Sequence, residues 1–473
     1  MKWHLNHIAQ WTNAKIISQH HKEFSEIGTD TRKDLTGQIF IALKGDNYDA
    51  HQYLDQAVKK GAAALIIHEE LSEKFSHLKE NVSILQVEDT LKALQDFSHE
   101  YRKTLKTKII GITGSNGKTT TKEFTAQILG QYKKTHYSHG SFNNHWGVPL
   151  TLLSIPQDAE FAVVEMGMNH AGEITQLVKI ADPDITICTM VGTAHLEFFG
   201  TKEAIANAKR EIYLDAKPEA IRIFNQDTDL TFDMMYPVAR KFPESRMLSF
   251  SEKNTEADVF FKIDEIHTKE LKITGIIAAE PGTATIPIFG KQNLTNLMAA
   301  SAIAYACRLT PDQIWKALPN CKTAWGRNQF IETKNGAEIL FDGYNANPDS
   351  MRALLENVPM LRSSGKKIGV FGQMKELGEQ SKNAHIDIAD LAGATGFAQI
   401  YFIGEAYEAF QKGLVKSGFK GEAFIQPEFN SHLGEKLGHS LKAGDLVVIK
   451  GSRGAETERF IPYCDPINWK NKN

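Results

Sequence analysis

Apolar residues along this chain gather into short runs of strand length, separated by longer stretches with helical spacing. In the first segment, Gln38–Leu43, Ala62–Ile67 and Val82–Val87 read as strands, and Tyr53–Lys60 and Thr90–Tyr101 as helices. The polar, basic stretch Lys103–Lys108 reads as a linker. Beyond it, Phe161–Glu165, Asp184–Val191 and Ala220–Phe224 are strand-length runs between helical patterns, which predicts a parallel sheet flanked by helices. Glu252–Pro287 is more irregular and reads as an antiparallel insertion. The alanine-rich Asn293–Leu309 reads as a long helix. The alternation then repeats with strands at Glu338–Phe341, Lys367–Phe371, Gln399–Ile403 and Asp445–Ile449, as in a second doubly wound sheet. The expected architecture is α/β in three domains. These are a small α/β domain at 1–104, a central domain with a parallel sheet at 105–318, and a C-terminal Rossmann-like domain at 319–473.

Composition narrows the classes. A chain of 473 residues is too long for one hydrophobic core. Its formal net charge of −3, with no long basic run, gives no electrostatic support to a nucleic-acid partner. No apolar stretch approaches the length of about 18 residues that a membrane span requires, and the N-terminus lacks a signal-peptide pattern. The four cysteines are far apart, without metal-type or disulfide spacing, as expected in a reducing compartment. A cytoplasmic protein is expected.

The chemistry begins at KIIGITGSNGKTTT, Lys108–Thr121. A strand that stops at a glycine turn and feeds a helix N-terminus makes a phosphate cradle, because backbone N–H groups and the helix dipole both favour an anion. Gly114 and Gly117 allow close approach, Lys118 reaches terminal phosphates, and the Thr119 hydroxyl suits Mg²⁺. Ile112 holds the place of the first glycine of the usual pattern, yet strand, loop, GKT and helix follow in order. This predicts a P-loop for a nucleoside triphosphate.

Other candidates lie at strand ends. Glu165 closes an apolar strand, where a carboxylate can hold Mg²⁺ on phosphates. His195 follows the next strand, but a lone histidine is most often an ordinary surface or core group. Lys209 sits on a helical stretch and reads as a solvated charge. Asp342, Tyr344, Asn345 and Asn347 follow a third strand, in a string that also suits a turn. KGSRGAETER begins at Lys450 and offers Lys450, Ser452 and Arg453 to a phosphate or carboxylate.

TGSNGKTTTKE, FNNHWGVPLTLL, EMGMNHAGEI, AHLEFFG, GKQNLTNLMAA, YNANPDSM, GQMKELGEQS and KGSRG together resemble the Mur ligases, in that family's order and over nearly the whole chain. FNNHWGVPLTLL, YNANPDSM and MKELGE are similar to the dipeptide-adding member. The resemblance implies an N-terminal domain for a uridine nucleotide, a central ATPase domain and a C-terminal ligase domain. It implies ATP-dependent joining of D-Ala-D-Ala to the terminal carboxylate of UDP-MurNAc-tripeptide, a step of peptidoglycan synthesis, through an acyl phosphate. It places ATP on Gly114, Ser115, Asn116, Gly117, Lys118, Thr119 and Thr120, with Asn293, Asn296, Arg327 and Asp342 near the nucleotide. Substrate would meet Thr31, Arg32, Lys44, Asn143, Asn144, Tyr344, Asn347, Lys450, Ser452 and Arg453. The string KGDNYDAHQY (Lys44–Tyr53) belongs to the same uridine region. Lys118, Lys209, His195 and Asn345 would serve the chemistry itself. Two Mg²⁺ sites are implied, from Thr119, Glu165, His195 and a carbamylated Lys209, which reverses the plainer readings of His195 and Lys209. Small-molecule partners, no nucleic acid, no membrane insertion and a monomer are expected. Alternatives of other kinds are an amino-acid-adding relative, a folylpolyglutamate synthase, or a P-loop ATPase that drives a partner. The third residue of the tripeptide, lysine or diaminopimelate, is not encoded in any motif found here.

Overall fold

The apolar runs named above are all strands in the computed structural model, which describes residues 3–45, 48–68 and 74–470. Contacts divide the chain into two compact units. One comprises Met1–Ile112, Tyr132–Thr186 and Glu211–Ile221; the other comprises Thr113–Gln131, Ile187–Arg210 and Arg222–Asn473.

In the first unit, a five-stranded sheet runs in the order Lys15–Ser18, Ser83–Val87, Ala64–His68, Ile39–Ile41, Ile27–Gly28. All its pairs are parallel except the one between Lys15–Ser18 and Ser83–Val87. Phe40, Leu54, Leu65, Ile67 and Ile84 bury one apolar core against it. The Thr90–Thr104 helix is capped by Asp89, whose carboxylate accepts from the N–H groups of Leu91 and Lys92. That helix shortens the expected linker: Lys103 and Thr104 are helical, and Thr107 is buried with its hydroxyl donating to the Ala159 carbonyl. The same unit holds parallel strands in the order Thr135–Tyr137, Phe161–Glu165, Lys108–Thr113, with Glu165 closing the middle one beside Ile112.

In the second unit, Arg222–Asn225 pairs in parallel with the Met247–Ser251 strand, and Val259–Ile266, Leu271–Ile277 and Glu280–Ile286 continue as an antiparallel meander. The irregular stretch is therefore the antiparallel piece its pattern predicted. A six-stranded sheet follows in the order Gln329–Glu332, Glu338–Asp342, Leu446–Lys450, Lys367–Gly372, Gln399–Ile403, Glu422–Gln426. Only Gln329–Glu332 is antiparallel to its neighbour. Alternate residues of its central strands enter opposite cores: Leu340, Phe371, Val448 and Phe402 on one face, Phe341, Val370, Ile449 and Tyr401 on the other. Both faces of the central strands are covered, so the strand ends are the natural place for a ligand. The carboxyl ends of three adjacent strands, at Asp342, Lys450 and Gly372, carry the polar strings of the sequence.

Candidate active site

The glycine turn of the second unit is built as a cradle. Gly114 and Gly117 hold φ of +147° and +83°. A β-carbon on Gly114 would collide with the Thr189 side chain, and one on Gly117 with Asn296 Oδ1, so both positions require glycine. Gly117 caps the Lys118–Gly130 helix without any side-chain hydrogen bond. A helix start whose cap position carries no side chain leaves room for an anion to approach it. Lys118 Nζ donates to the Gly114 carbonyl at 2.6 Å, folded over the loop it is expected to serve. Ser115 is tied to the loop that follows the Ile185–Cys188 strand, its N–H donating to the Met190 carbonyl at 2.9 Å. Thr119 and Thr120 are buried, and Arg327 Nη2 reaches Thr119 Oγ1 at 3.4 Å. Arg327 also lies over the Tyr344 ring at 4.5 Å, and its buried Nε has no hydrogen-bond partner among the described residues. An orphaned guanidinium N–H beside a phosphate loop fits a nucleotide anion.

Asn293 and Asn296 lie behind this loop rather than on an open wall. Asn293 donates to the Phe289 carbonyl at 2.7 Å, and Asn296 Oδ1 accepts from the Thr121 hydroxyl at 3.3 Å. Both are buried.

A cleft of about 240 Å³ opens over the cradle. Its wall combines Ser115 and Lys118 with Thr193 and His195, and with all three strand-end loops of the six-stranded sheet, through Asn345, Asn347, Glu376, Ser452 and Arg453. Direct bonds join these pieces. Asn347, the cap of the Pro348–Asn357 helix, donates from Nδ2 to Asn116 Oδ1 at 2.8 Å. Asp349 in the first turn of that helix accepts from the Thr193 N–H and hydroxyl. His195 Nδ1 lies 2.8 Å from Glu376 Oε2, out of line for a good hydrogen bond. Ser452 donates to the Gln373 carbonyl at 2.6 Å.

One residue-level expectation is corrected, and a second candidate lies buried in an ion pair. Lys209, read from spacing as a solvated charge, is 1% exposed on the Lys202–Leu214 helix. Burial, then the like charge of Lys118, pull its amine down to about 7. The face that buries Ile205, Ala208 and Ile212 carries Lys209 inward with them. Lys450, expected to meet substrate, is also 1% exposed. Its ammonium is ion-paired with the buried Asp342, and it donates to the Asn345 carbonyl at 3.3 Å. Burial pushes this amine down while Asp342 opposes the shift. The pair fixes the loop that presents Asn345 to the cleft.

The remaining candidates belong to the first unit. Asn143 donates to Glu165 Oε1 at 2.8 Å, and Asn144 Oδ1 accepts from the Gly147 N–H at 2.9 Å. A β-carbon on Gly167 would press on the Asn143 amide. Thr31 is buried, while Arg32 is exposed and paired with Asp30 at 2.9 Å. That pairing holds the Asp30 carboxyl down at about 2. Lys44 lies in a short hairpin, and Asp46 and Asn47 of its string lie outside the described residues. Among the described residues no three His, Cys, Asp or Glu side chains converge as a metal cage. The buried Thr119 hydroxyl in the phosphate cradle is a hard oxygen donor of the kind Mg²⁺ takes in small number beside phosphates.

Asp349 and Glu376 had no assigned role in the sequence. Both sit in strings that resemble the Mur ligases, and that was the only signal for either.

Comparison with known proteins agrees along the chain. Residues 23–102 match the Mur ligase family catalytic domain, 112–304 the Mur ligase middle domain, and 326–453 the Mur ligase glutamate ligase domain. The UDP-N-acetylmuramoyl-tripeptide–D-alanyl-D-alanine ligase of Bacillus subtilis is 31% identical over 97% of both chains. A crystal structure of MurF from Acinetobacter baumannii superposes with a TM-score of 0.85 at 28% identity, over 98% of each chain. MurF ligase from Thermotoga maritima in complex with ADP superposes at 0.77 with 27% identity, covering 93% of this chain and 97% of that one.

Proposed function

The chain belongs to the Mur ligase family, and from that premise we propose how its cleft works. The protein is an ATP-dependent ligase that joins D-Ala-D-Ala to UDP-MurNAc-tripeptide in peptidoglycan synthesis. The observation that carries this reading is the shared cleft, in which the phosphate cradle and the three strand-end loops of the C-terminal sheet face one another.

A carboxylate resists amines because its carbon is electron-rich and oxide is a poor leaving group. The tripeptide carboxylate oxygen attacks the γ-phosphorus of ATP, the bond to ADP breaks, and an acyl phosphate forms. The dipeptide amine then attacks the acyl carbon, loses a proton, and expels phosphate. Lys118 and the uncapped helix start spread the charge of the phosphoryl group in flight. Arg327 and Thr119 hold the nucleotide phosphates, and Asn345 faces the place where the two substrates meet. Mg²⁺, when bound, neutralises phosphate charge. Thr119, Glu165, His195 and Lys209 are the groups we assign to it, in two sites. Lys209 fits carbamylation because its depressed pKa leaves much of the amine neutral near pH 7, the form that adds CO₂.

The division at 104/105 and 318/319 is supported by where the family stretches begin and end. Thr31, Arg32 and Lys44 are assigned to the uridine nucleotide, and Asn143, Asn144, Tyr344, Asn347, Ser452 and Arg453 to the peptide substrates. A cytoplasmic location is supported by four buried cysteines, none of them in a disulfide. No helix among the described residues is long and apolar enough to cross a membrane.

The test is a product mass. Incubation with ATP, Mg²⁺, UDP-MurNAc-tripeptide and D-Ala-D-Ala is expected to add one dipeptide less one water, and single amino acids are expected to add nothing. Addition of a single amino acid instead would reassign the substrate.

A further inference from the structure

The ligase chemistry above leaves one carboxylate of the cleft unused. Glu376 follows the Lys367–Gly372 strand and lines the same cleft as Lys118 and Arg453. Its backbone is left-handed, with φ of +62°, a conformation unfavourable for a side chain with a β-carbon. The side chain is 48% exposed, and Oε2 faces His195 Nδ1 at 2.8 Å. Oε1 has no hydrogen bond or ion pair among the described residues. A carboxylate accepts several donors, so the His195 contact does not exhaust it.

Its position is electrostatically odd. The other charged groups on the cleft wall, Lys118, Lys375 and Arg453, are cations suited to phosphates and carboxylates. Glu376 is the one acid among the described residues of that wall, and it repels a triphosphate. What a ligase of this kind must also bind is an acceptor dipeptide, which carries an ammonium at one end and a carboxylate at the other. Cations alone complement half of that molecule.

We infer that Glu376 is the anchor for the ammonium of the incoming dipeptide, holding its nitrogen beside the phosphate cradle. The inference rests on the ligase reading above and names the group that recognises the acceptor amine. Charge-assisted hydrogen bonds of this kind are strong and directional. Glu376 thereby selects a free amino terminus over a blocked one, and its cost in backbone conformation fits a binding group better than a spacer.

The test is Glu376→Gln, which keeps the shape and removes the charge. The KM for D-Ala-D-Ala is expected to rise about ten-fold or more, with the ATP KM and the Mg²⁺ requirement unchanged. Calorimetry in the presence of ADP and Mg²⁺ provides a second readout. The unmodified protein should bind D-Ala-D-Ala more tightly than N-acetyl-D-Ala-D-Ala, and the variant should lose that preference. An unchanged dipeptide KM, or a shift confined to the Mg²⁺ requirement, would overturn the inference and leave Glu376 as an orienting partner of His195. Should the glutamine variant fail to fold, Glu376→Asp, which retracts the charge by one methylene, is expected to raise the same KM; no rise would overturn the inference equally. A protein with Glu376 intact that ligates some other amine but never D-Ala-D-Ala would instead refute the ligase reading.

Discussion

Asp349 Oδ2 accepts two hydrogen bonds from Thr193, one from its N–H at 2.6 Å and one from its hydroxyl at 2.8 Å. One carboxylate oxygen thus ties the loop carrying His195 to the helix that starts at Pro348. A β-carbon on Gly192 would collide with that same carboxylate, so the loop is fitted to it. Bonds to a charged acceptor contribute about 1.5–3 kcal/mol. Asp349→Ala is expected to lower kcat at least ten-fold while the protein still melts cooperatively. Steady-state kinetics beside a melting curve separates this from general unfolding.

The Lys209 amine offers a pH test. Its ordinary value is 10.5, and burial brings it to about 7, so the neutral fraction grows as pH rises through 7 and shrinks below it. Protein stripped of CO₂ is expected to lose activity and regain it with bicarbonate at pH 8, but to regain little at pH 6. Lys209→Ala should lose turnover at every pH, with partial recovery when short carboxylic acids are added. Normal turnover by that variant would remove the carbamate from the account.

Asn143 reaches Glu165 rather than standing alone as a substrate contact. Groups that orient a metal ligand typically change metal affinity about 10–100-fold when removed. On the proposed role of Glu165 as an Mg²⁺ ligand, Asn143→Ala is expected to raise the Mg²⁺ concentration for half-maximal activity about ten-fold, read from a Mg²⁺ titration at saturating ATP.

Lys450 and Asp342 form a buried ion pair, and removing one partner leaves the other charge uncompensated. Such a loss costs about 3–5 kcal/mol. Lys450→Met should therefore lower the denaturation midpoint clearly, whereas a residue acting only on substrate would leave it in place. Urea unfolding measures this directly.

The strands were legible where burial is complete on both faces. Gln399–Ile403 was read residue for residue because a parallel strand between two helix layers is an unbroken apolar run. Lys15–Ser18 and Gln329–Glu332 were missed because each is partly exposed and antiparallel to its neighbour, and polar residues break the pattern. In the site, the phosphate cradle was legible from its glycines, since the φ they adopt is closed to other residues. The burial of Lys209 was not legible, because helical spacing marks a buried face only when that face is apolar, and a lysine on it reads as an exception. The contacts of Asp349 and Glu376 were equally hidden. Each depends on segments more than 150 residues apart in sequence, which only the folded chain brings together.

The most direct test of carboxylate activation is an isotope label. UDP-MurNAc-tripeptide carrying ¹⁸O in its terminal carboxylate would be incubated with ATP, Mg²⁺ and D-Ala-D-Ala, and the released phosphate analysed by mass. Transfer through an acyl phosphate predicts one ¹⁸O in each phosphate, released only when the dipeptide is present. Unlabelled phosphate, appearing whether or not either substrate is added, would contradict the account and leave an ATPase whose hydrolysis serves another partner.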